Sequence, residues 1–190
     1  KSPVKLSGGR VHDRRKLVVV PWVKGKLLLF DLGYYDFALF RNIVRSGGHF
    51  LTRLKENANP KIAGVFKGSA IDEKRLLGQS LQAVLCGLRR DFLEVEVRAK
   101  TRRYKGRQSS TVERFRLVAV RDSEERKYHC YLTSIPAEVL SAKEVASAYR
   151  ARWEIELVFK KLKSGYRLDD VDSRKKEVVQ SLIYAAVPTL

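Results

Sequence analysis

The amino-acid sequence predicts an α/β fold in which a mixed sheet carries flanking helices. Three patterns along its 190 residues lead to this prediction. A strand, a helix and a second strand follow one another within residues 27–55, strands of alternating polarity fill residues 93–133, and a capped helix covers residues 141–163. The order of these patterns indicates an α/β core whose two halves are separated by a mostly β region.

The first half of the core is predicted from the strand–helix–strand pattern. Residues 27–31, Leu-Leu-Leu-Phe-Asp, are typical of a short buried strand that ends in a carboxylate. Asp36 has the side chain of a helix N-cap, Gly47 can end that helix, and residues 49–55 predict the next strand. Strands joined in this way pair in parallel, and ligands bind beyond their carboxyl ends, where Asp31 would lie. An Asp at a strand end can equally be a turn or cap residue.

The middle of the chain begins after the loop Asn57–Pro60. Residues 72–89 carry apolar side chains at helical spacing, which predicts one helix, and the alternating patterns after it predict antiparallel strands. We therefore assign residues 1–60 to the first part of the core and residues 61–135 to a β-rich insertion. Residues 136–190 then form the second part of the core.

The charge of the chain predicts the class of its partner. With 39 Lys and Arg against 21 Asp and Glu, the formal net charge is +18. Such an excess favours a polyanion, most often a nucleic acid, although an RNA-binding protein would show the same imbalance. No apolar run approaches the roughly 18 residues that would cross a bilayer, so we expect no membrane partner.

The cysteines and histidines show no metal-site spacing. Cys86 and Cys130 are far apart and belong to no Cys-x-x-Cys motif, so we expect reduced, buried thiols in a cytoplasmic protein. His12, His49 and His129 likewise lack the spacing of a zinc site.

The helix over residues 141–163 has clear boundaries in the sequence. Ser141 followed by Glu144 forms a capping box, in which hydroxyl and carboxylate accept hydrogen bonds from backbone N–H groups. Gly165 is expected to end the helix. A helix with these boundaries fixes which side chains share a face.

Four side chains of this helix lie in one narrow stripe. Tyr149, Arg152, Glu156 and Lys163 are three, four and seven residues apart. A carboxylate flanked by a phenol, a guanidinium and an ammonium suits a site that holds a divalent metal beside cations that bind phosphate. On charge alone, solvated ion pairs along a helix would be the better explanation.

The stripe belongs to a longer segment that resembles a known family. Tyr149-Arg-Ala-Arg-Trp-Glu-Ile-Glu-Leu-Val-Phe-Lys-Lys-Leu-Lys163 is similar to the Y-R-E-K signature of prokaryotic DDE transposases, which move insertion sequences by cut-and-paste. Asp31-Leu-Gly-Tyr-Tyr35 and Arg53-Leu-Lys-Glu-Asn-Ala-Asn-Pro60 resemble the region around the second acidic residue of that family. The resemblance covers most of residues 9–172.

The resemblance implies a fold and a chemistry. The fold would be an RNase H-like core interrupted by the β insertion. The reaction would be metal-dependent strand cleavage at transposon ends followed by strand transfer into target DNA. Asp31 and Glu156 would be the second and third metal-binding carboxylates, whereas Tyr149, Arg152 and Lys163 would hold phosphates of the transposon end. Two Mg²⁺ ions about 4 Å apart, with Mn²⁺ as a substitute, would serve this chemistry.

The resemblance also implies partners and a location. Double-stranded DNA, as transposon end and as target, would be bound by a homodimer in the synaptic complex. The protein would be cytoplasmic and associated with the nucleoid of a prokaryote. Trp153 matches a tryptophan often seen beside the signature arginine, and we interpret it as a packing residue.

The first catalytic Asp of the family has no counterpart that fits. Only 30 residues precede Asp31, and their one acidic residue is Asp13. Asp13 lies in a polar, Arg-rich stretch without a strand pattern, so we predict a loop residue. We therefore expect a fragment without its N-terminal part, which alone binds DNA but turns over poorly or not at all.

A basic turn between the first two insertion strands is a second candidate for DNA contact. Its residues suit contact with a phosphate backbone and stacking on a base, and they are Arg103, Tyr104, Lys105 and Arg107. A solvated hairpin end is an equally good explanation. Two other functions also stay open, namely a non-catalytic nucleic-acid-binding module and an RNase H-like nuclease that cleaves without joining strands.

Overall fold

The computed structural model describes residues 21–66, 73–101, 111–122 and 124–166 of the chain. Within these ranges six strands form one sheet, and they are β1 (Leu27–Phe30), β2 (His49–Arg53), β3 (Ile62–Val65), β4 (Phe92–Thr101), β5 (Thr111–Arg121) and β6 (Tyr128–Thr133). The helices of the same ranges are α1 (Phe37–Arg45), α2 (Glu73–Leu76), α3 (Leu81–Gly87) and α4 (Ala142–Tyr166), with short 3-10 helices at Pro21–Val23 and Leu32–Tyr34.

The strand order across the sheet is β1-β2-β6-β5-β4-β3. β1 and β2 are parallel, whereas β2–β6, β6–β5, β5–β4 and β4–β3 are antiparallel. The sheet is therefore mixed and carries flanking helices, which confirms the predicted α/β class and is consistent with an RNase H-like domain. Because the strands of residues 61–135 continue the same sheet, the division into core and insertion stays a prediction.

The strand–helix–strand unit forms as its local chemistry predicts. Asp36 is the N-cap of α1, and its side chain accepts a hydrogen bond from the Ala38 N–H at 2.8 Å. After α1, Gly47 has φ +76°, a conformation that glycine adopts without steric cost. The crossover then brings β2 alongside β1 in parallel, with Phe30 opposite Thr52.

The prediction of one helix over residues 72–89 is wrong, because the chain forms two shorter helices there. Gly78, between α2 and α3, has φ +79° and interrupts the helical path. Ser80 then caps α3 by accepting from the Ala83 N–H at 3.4 Å. Apolar periodicity alone predicted a continuous helix, but the glycine and the Ser cap decide the backbone.

The cysteines are less buried than expected. α3 turns Leu81 and Val84 into the core, and Cys86 on the same helix is exposed. Cys130 on β6 is half-buried. The prediction of a buried thiol is therefore wrong for Cys86.

Both faces of the sheet carry apolar layers, since neighbouring residues of a strand point to opposite faces. On the α1 side, the fully buried rings of Phe40 and Phe50 stack with centroids 4.3 Å apart. On the other side, Leu51 and Val118 pack with Val145 of α4. Each fully buried ring or aliphatic side chain stabilises the fold by about 1.5–3 kcal/mol.

The contacts of the chain define two compact units. Val18–Tyr149 contain the whole sheet, and the part of α4 from Arg150 onward belongs to the second unit. Among the helices of the described ranges, none combines the length and the apolar character that crossing a membrane requires.

Candidate active site

Asp31 directly follows β1 at its carboxyl end, as predicted. Its Oδ1 accepts hydrogen bonds from the backbone N–H groups of Gly33 at 2.9 Å and Tyr34 at 3.3 Å. The half-buried carboxylate is thereby the N-cap of the 3-10 helix Leu32–Tyr34. No hydrogen bond or ion pair within the described ranges involves Oδ2. A cap and a metal ligand are therefore compatible roles for this one carboxylate.

Tyr35 and Lys55 lie near the same edge of the sheet. The Tyr35 ring packs edge-on against Phe37 and Phe40, and burial raises the pKa of its hydroxyl to about 12. The Lys55 ammonium lies 5.0 Å from the centroid of the Tyr35 ring. Arg53 is the last residue of β2, which pairs with β1, the strand that Asp31 follows. The edge that carries Asp31 thus also carries cations, which suits an anionic ligand.

The signature helix α4 begins with the predicted capping box. The Ser141 N–H and hydroxyl both donate to Glu144 Oε2 at 2.7 Å, and the Glu144 N–H donates to Ser141 Oγ at 3.4 Å. These hydrogen bonds hold the pKa of Glu144 below its usual value. Gly165, which we expected to end the helix, lies within it.

Tyr149, the first residue of the signature stripe, is buried. It is 5 % exposed and packs against Tyr131 with ring centroids 5.3 Å apart. Its neighbours in this core cluster include Leu51, Val118 and Val145. The ring therefore packs the part of α4 up to Tyr149 on the sheet, and a contact between its hydroxyl and DNA stays a prediction.

Arg152 and Trp153 lie next in the stripe segment. The Arg152 guanidinium is 5.0 Å from the centroid of the Trp153 ring, an attractive cation–π geometry. Trp153 is 55 % exposed, and Leu157 one turn later is 58 % exposed. The contact that the structure shows for the exposed Trp153 ring is thus with the half-buried Arg152 side chain, and the interpretation as a packing residue stays a prediction.

Other predicted site residues lie outside what the structure describes. Glu156 and Lys163 belong to α4, but their side chains are not described. Asp13 and the basic turn also fall outside the described ranges, the turn comprising Arg103, Tyr104, Lys105 and Arg107. The convergence of Asp31 and Glu156 on one metal site therefore stays a prediction.

One cluster of possible metal ligands was missed in the sequence. Ligand atoms of Asp122, Glu125 and His129, around the β5–β6 turn, all lie within 4.8 Å of one another. His129 Nε2 is 3.2 Å from Asp122 Oδ2. However, Lys127 Nζ lies 2.6 Å from Glu125 Oε2, and Arg53 Nη2 lies 3.4 Å from His129 Nδ1. Lys127 thus already compensates the Glu125 carboxylate, and Arg53 places a positive charge beside the imidazole. The Asp-x-x-Glu-x-x-x-His spacing is the signal that could have revealed the cluster.

The fold and the site define a class of protein, an α/β domain with a carboxylate at the end of a sheet strand and a long basic signature helix. Residues 4–187 match the family described as "Transposase DDE domain". The match covers nearly the whole chain, and the chain belongs to this family.

Individual relatives agree with the family assignment. The chain is 40% identical over 70 residues to the transposase for insertion sequence element IS421 of Escherichia coli, covering 37% of this chain and 19% of that protein. It is 23% identical over 186 residues to the transposase for IS231F of Bacillus thuringiensis subsp. israelensis, covering 84% and 39%. It is 20% identical over 190 residues to the transposase for IS1151 of Clostridium perfringens, covering 86% and 40%.

These comparisons bear on both the resemblance and its extent. The similarity to insertion-sequence DDE transposases that the signature segment suggested is confirmed. The chain spans two fifths or less of the length of the curated relatives it matches.

Proposed function

We propose that this chain is the catalytic domain of a DNA transposase, which cleaves strands at transposon ends and transfers them into target DNA. The observation that carries the proposal is the position of Asp31, at the carboxyl end of a parallel strand in a chain of the transposase DDE domain family. Ligand sites of open α/β sheets lie at that edge.

Asp31 and Glu156 would hold the divalent metal, Mg²⁺ with Mn²⁺ as a substitute. Carboxylate oxygens are the ligands that both ions prefer. Asp31 fits this role because two backbone N–H groups fix its Oδ1 and the side chain is only half-buried. When bound, the metal would activate the attacking oxygen and stabilise the leaving oxygen of the phosphodiester.

The cations of the chain would bind and orient the DNA. Arg152 and Lys163 would hold phosphates of the transposon end, with Tyr149 donating its hydroxyl. Arginine matches a phosphate with two parallel hydrogen bonds, whereas lysine acts as a point charge. The basic turn would follow the backbone, with Arg103, Lys105 and Arg107 at phosphates and Tyr104 on a base.

Assembly and turnover belong to the same proposal. The synaptic complex would be a homodimer on double-stranded DNA, associated with the nucleoid in the cytoplasm of a prokaryote. Because Asp13 is the one acidic residue before Asp31, this 190-residue chain alone would bind DNA with little turnover. A version extended upstream by a strand with a further Asp would be active.

The test compares this chain and an extended version on DNA that flanks their own coding sequence, with Mg²⁺, Mn²⁺ or EDTA. We expect cleaved and joined products from the extended protein only with metal, and their loss in Asp31→Asn and Glu156→Gln. Asp36→Asn is the matched control, because it changes a nearby helix-capping carboxylate. Cleavage that survives Asp31→Asn would contradict the metal role.

Two further outcomes of this test are informative. Cleavage without joined strands would indicate a nuclease rather than a transposase. Robust Mg²⁺-dependent cleavage by the 190-residue chain, abolished by Glu156→Ala, would refute the proposal that it lacks a catalytic carboxylate.

A further inference from the structure

A cavity of about 280 Å³ lies between α1, β5 and the segment that follows β6. Its lining contains four arginines and one glutamate, and the other lining residues are uncharged. The charged residues are Arg41, Arg45, Arg114, Arg116 and Glu113. A small cavity with such an excess of guanidinium groups is suited to an anion.

This cavity is separate from the edge of the sheet that carries Asp31. Ser134, which lines the cavity, accepts a hydrogen bond from the Phe50 N–H near the start of β2. Arg45, at the end of α1, also precedes β2. Asp31 instead follows the carboxyl end of β1, which is parallel to β2. The cavity therefore lies towards the amino ends of these two strands.

Two of the four arginines already have carboxylate partners. Arg116 Nε donates to Glu94 Oε1 at 2.7 Å, and Arg114 Nη1 donates to Glu96 Oε2 at 3.1 Å. Arg116 also donates from Nη1 to the Ile135 carbonyl at 3.1 Å. These ion pairs neutralise much of the positive charge of Arg114 and Arg116. The positive charge that is not compensated in this way lies on α1.

The two arginines of α1 are much less compensated. Arg41 and Arg45 are four residues apart on the same helix, where like charges repel each other. Within the described ranges, Arg41 contacts the carboxylate of Glu113, with 3.9 Å between Nη1 and Oε1. Arg45 is exposed and has no ion pair within the described ranges. An anion between the two guanidinium groups would relieve this repulsion.

Buried donors at the cavity residues support the same conclusion. Arg41 Nε and Arg116 Nη2 have no hydrogen-bond partner within the described part of the chain. The Arg41 side chain is 12% exposed and that of Arg116 is 4% exposed. Buried N–H groups almost always have a partner, and two such donors around one cavity can both be satisfied by an acceptor that binds there.

The helix dipole offers a second explanation for the position of Arg45, but it does not explain Arg41. A cation in the last turn of a helix interacts favourably with the helix dipole. Here the carbonyls of that turn already accept hydrogen bonds from Ser46, Gly47 and Gly48 N–H groups. The dipole therefore gives little reason for a second arginine at position 41, whose Nε is buried.

We propose that this cavity binds a phosphate group through Arg41 and Arg45, with the unpaired donor of Arg116 completing the site. Guanidinium groups match phosphate oxygens in a planar, two-pronged geometry. The phosphate comes from a DNA backbone or from a free phosphate in solution. The DNA source rests on the proposed function, whereas the free anion does not.

The first experiment measures the Kd of the chain for a short labelled duplex in EDTA, at several KCl concentrations. We expect Arg41→Ala/Arg45→Ala to bind about tenfold more weakly than a control of equal charge, as expected for loss of a charge-assisted hydrogen bond. The control is Arg75→Ala/Arg89→Ala, two exposed arginines outside the cavity. The salt slope should also be smaller by about 1–2 in the cavity variant.

The second experiment identifies a free anion as the source. Inorganic phosphate should raise the melting temperature of the control variant more than chloride does at equal ionic strength, and this difference should be smaller in Arg41→Ala/Arg45→Ala, which keeps only the nonspecific effect of a kosmotropic anion. A phosphate effect without any DNA effect assigns the site to a free anion. Identical DNA binding and identical phosphate response in both double variants overturn the proposal.

Two further variants test whether weaker binding could result from misfolding rather than from loss of the phosphate contact. Arg45→Ala changes an exposed side chain and should give about threefold weaker DNA binding on its own, roughly half the free-energy effect of the pair. Arg41→Lys keeps the charge but removes the planar fork, so it should reduce the phosphate response. Because all binding is measured without metal, failure of the cleavage test would leave these results unchanged.

Discussion

The Gly33 N–H and the Asp31 carboxylate form a close pair, with 2.9 Å between Gly33 N and Asp31 Oδ1. A Cβ added at Gly33 would lie 3.1 Å from the same oxygen. Real Cβ atoms rarely approach an atom so closely, so glycine at this position leaves room for the cap. Gly33, two residues after Asp31, therefore allows the Asp31 carboxylate to hold this position.

Gly33→Ala should therefore displace the Asp31 carboxylate while preserving the fold. We expect the affinity for Mn²⁺ to fall about tenfold, the lower end of the effect of losing a residue that orients a metal ligand. Titration calorimetry with Mn²⁺ measures this directly and needs no turnover.

Gly87→Ala is the matched control for this prediction. A Cβ at Gly87, the last residue of α3, would meet no atom within 4 Å. It should leave Mn²⁺ affinity unchanged and stabilise the fold by about 0.4–1 kcal/mol. Equal Mn²⁺ affinity in Gly33→Ala and wild type would show that Gly33 does not position the carboxylate.

Two ion pairs on the same strands should differ in their effect on stability. Arg116 and Glu94 are 4% and 18% exposed, whereas Arg114 and Glu96 are 57% and 33% exposed. Arg116→Ala leaves a nearly buried carboxylate without its partner, so we expect a loss of about 3–5 kcal/mol. Arg114→Ala should lose about 1 kcal/mol or less. Urea unfolding measures both.

A double variant separates charge from packing in the same pair. Glu94→Leu/Arg116→Met replaces the pair by apolar side chains of similar length, which often restores stability. We expect it to be more stable than Arg116→Ala. If Arg114→Ala and Arg116→Ala lose equal stability, burial does not determine the strength of these pairs.

The parts of the fold that sequence predicted correctly depend on local chemistry. Asp36 caps α1 by accepting a hydrogen bond from the Ala38 N–H, two residues later, and Gly47 follows the helix with a positive φ. The capping box of Ser141 and Glu144 spans three residues. Such interactions are visible in sequence because both partners lie within one helical turn.

The features that sequence missed depend on pairing between distant strands. Arg53 meets His129 because β6 lies beside β2, and the two residues are 76 positions apart. The packing of the Tyr149 ring on Tyr131 of the sheet likewise joins residues that are distant in the sequence, and helical spacing does not reveal it. A helix face can be predicted from spacing, but which part of that face the sheet covers depends on tertiary packing.

The capping box should make the stability of α4 depend on pH. Hydrogen bonds from Ser141 lower the pKa of Glu144 from its usual 4.5. A lowered pKa means that the ionised side chain stabilises the folded state above its unfolded pKa and that this contribution disappears as pH falls through the folded pKa. We therefore expect Ser141→Ala to reduce the melting temperature at neutral pH, with a smaller difference below pH about 4.

The control for this prediction is a second serine outside the box. Ser46, which follows α1, donates its backbone N–H to carbonyls of that helix and needs no side chain for this. Ser46→Ala should show a pH-independent difference from wild type. A Ser141→Ala effect that is equally large at acidic pH would show that the ionised carboxylate makes no contribution.

The two thiols should react at very different rates. Cys86 is exposed on α3, whereas burial raises the pKa of Cys130 to about 11, with the charge of Arg53 opposing this shift. Since the thiolate is the reactive form, we expect an alkylating reagent at neutral pH to modify Cys86 first and Cys130 only slowly. Mass spectrometry of the folded chain at short times counts and locates the adducts.

Cys86→Ser should abolish the fast phase of modification and Cys130→Ser should preserve it, while both thiols of the wild type should react equally in urea. Fast modification of Cys130 in the folded Cys86→Ser variant would contradict the raised pKa of this thiol on β6.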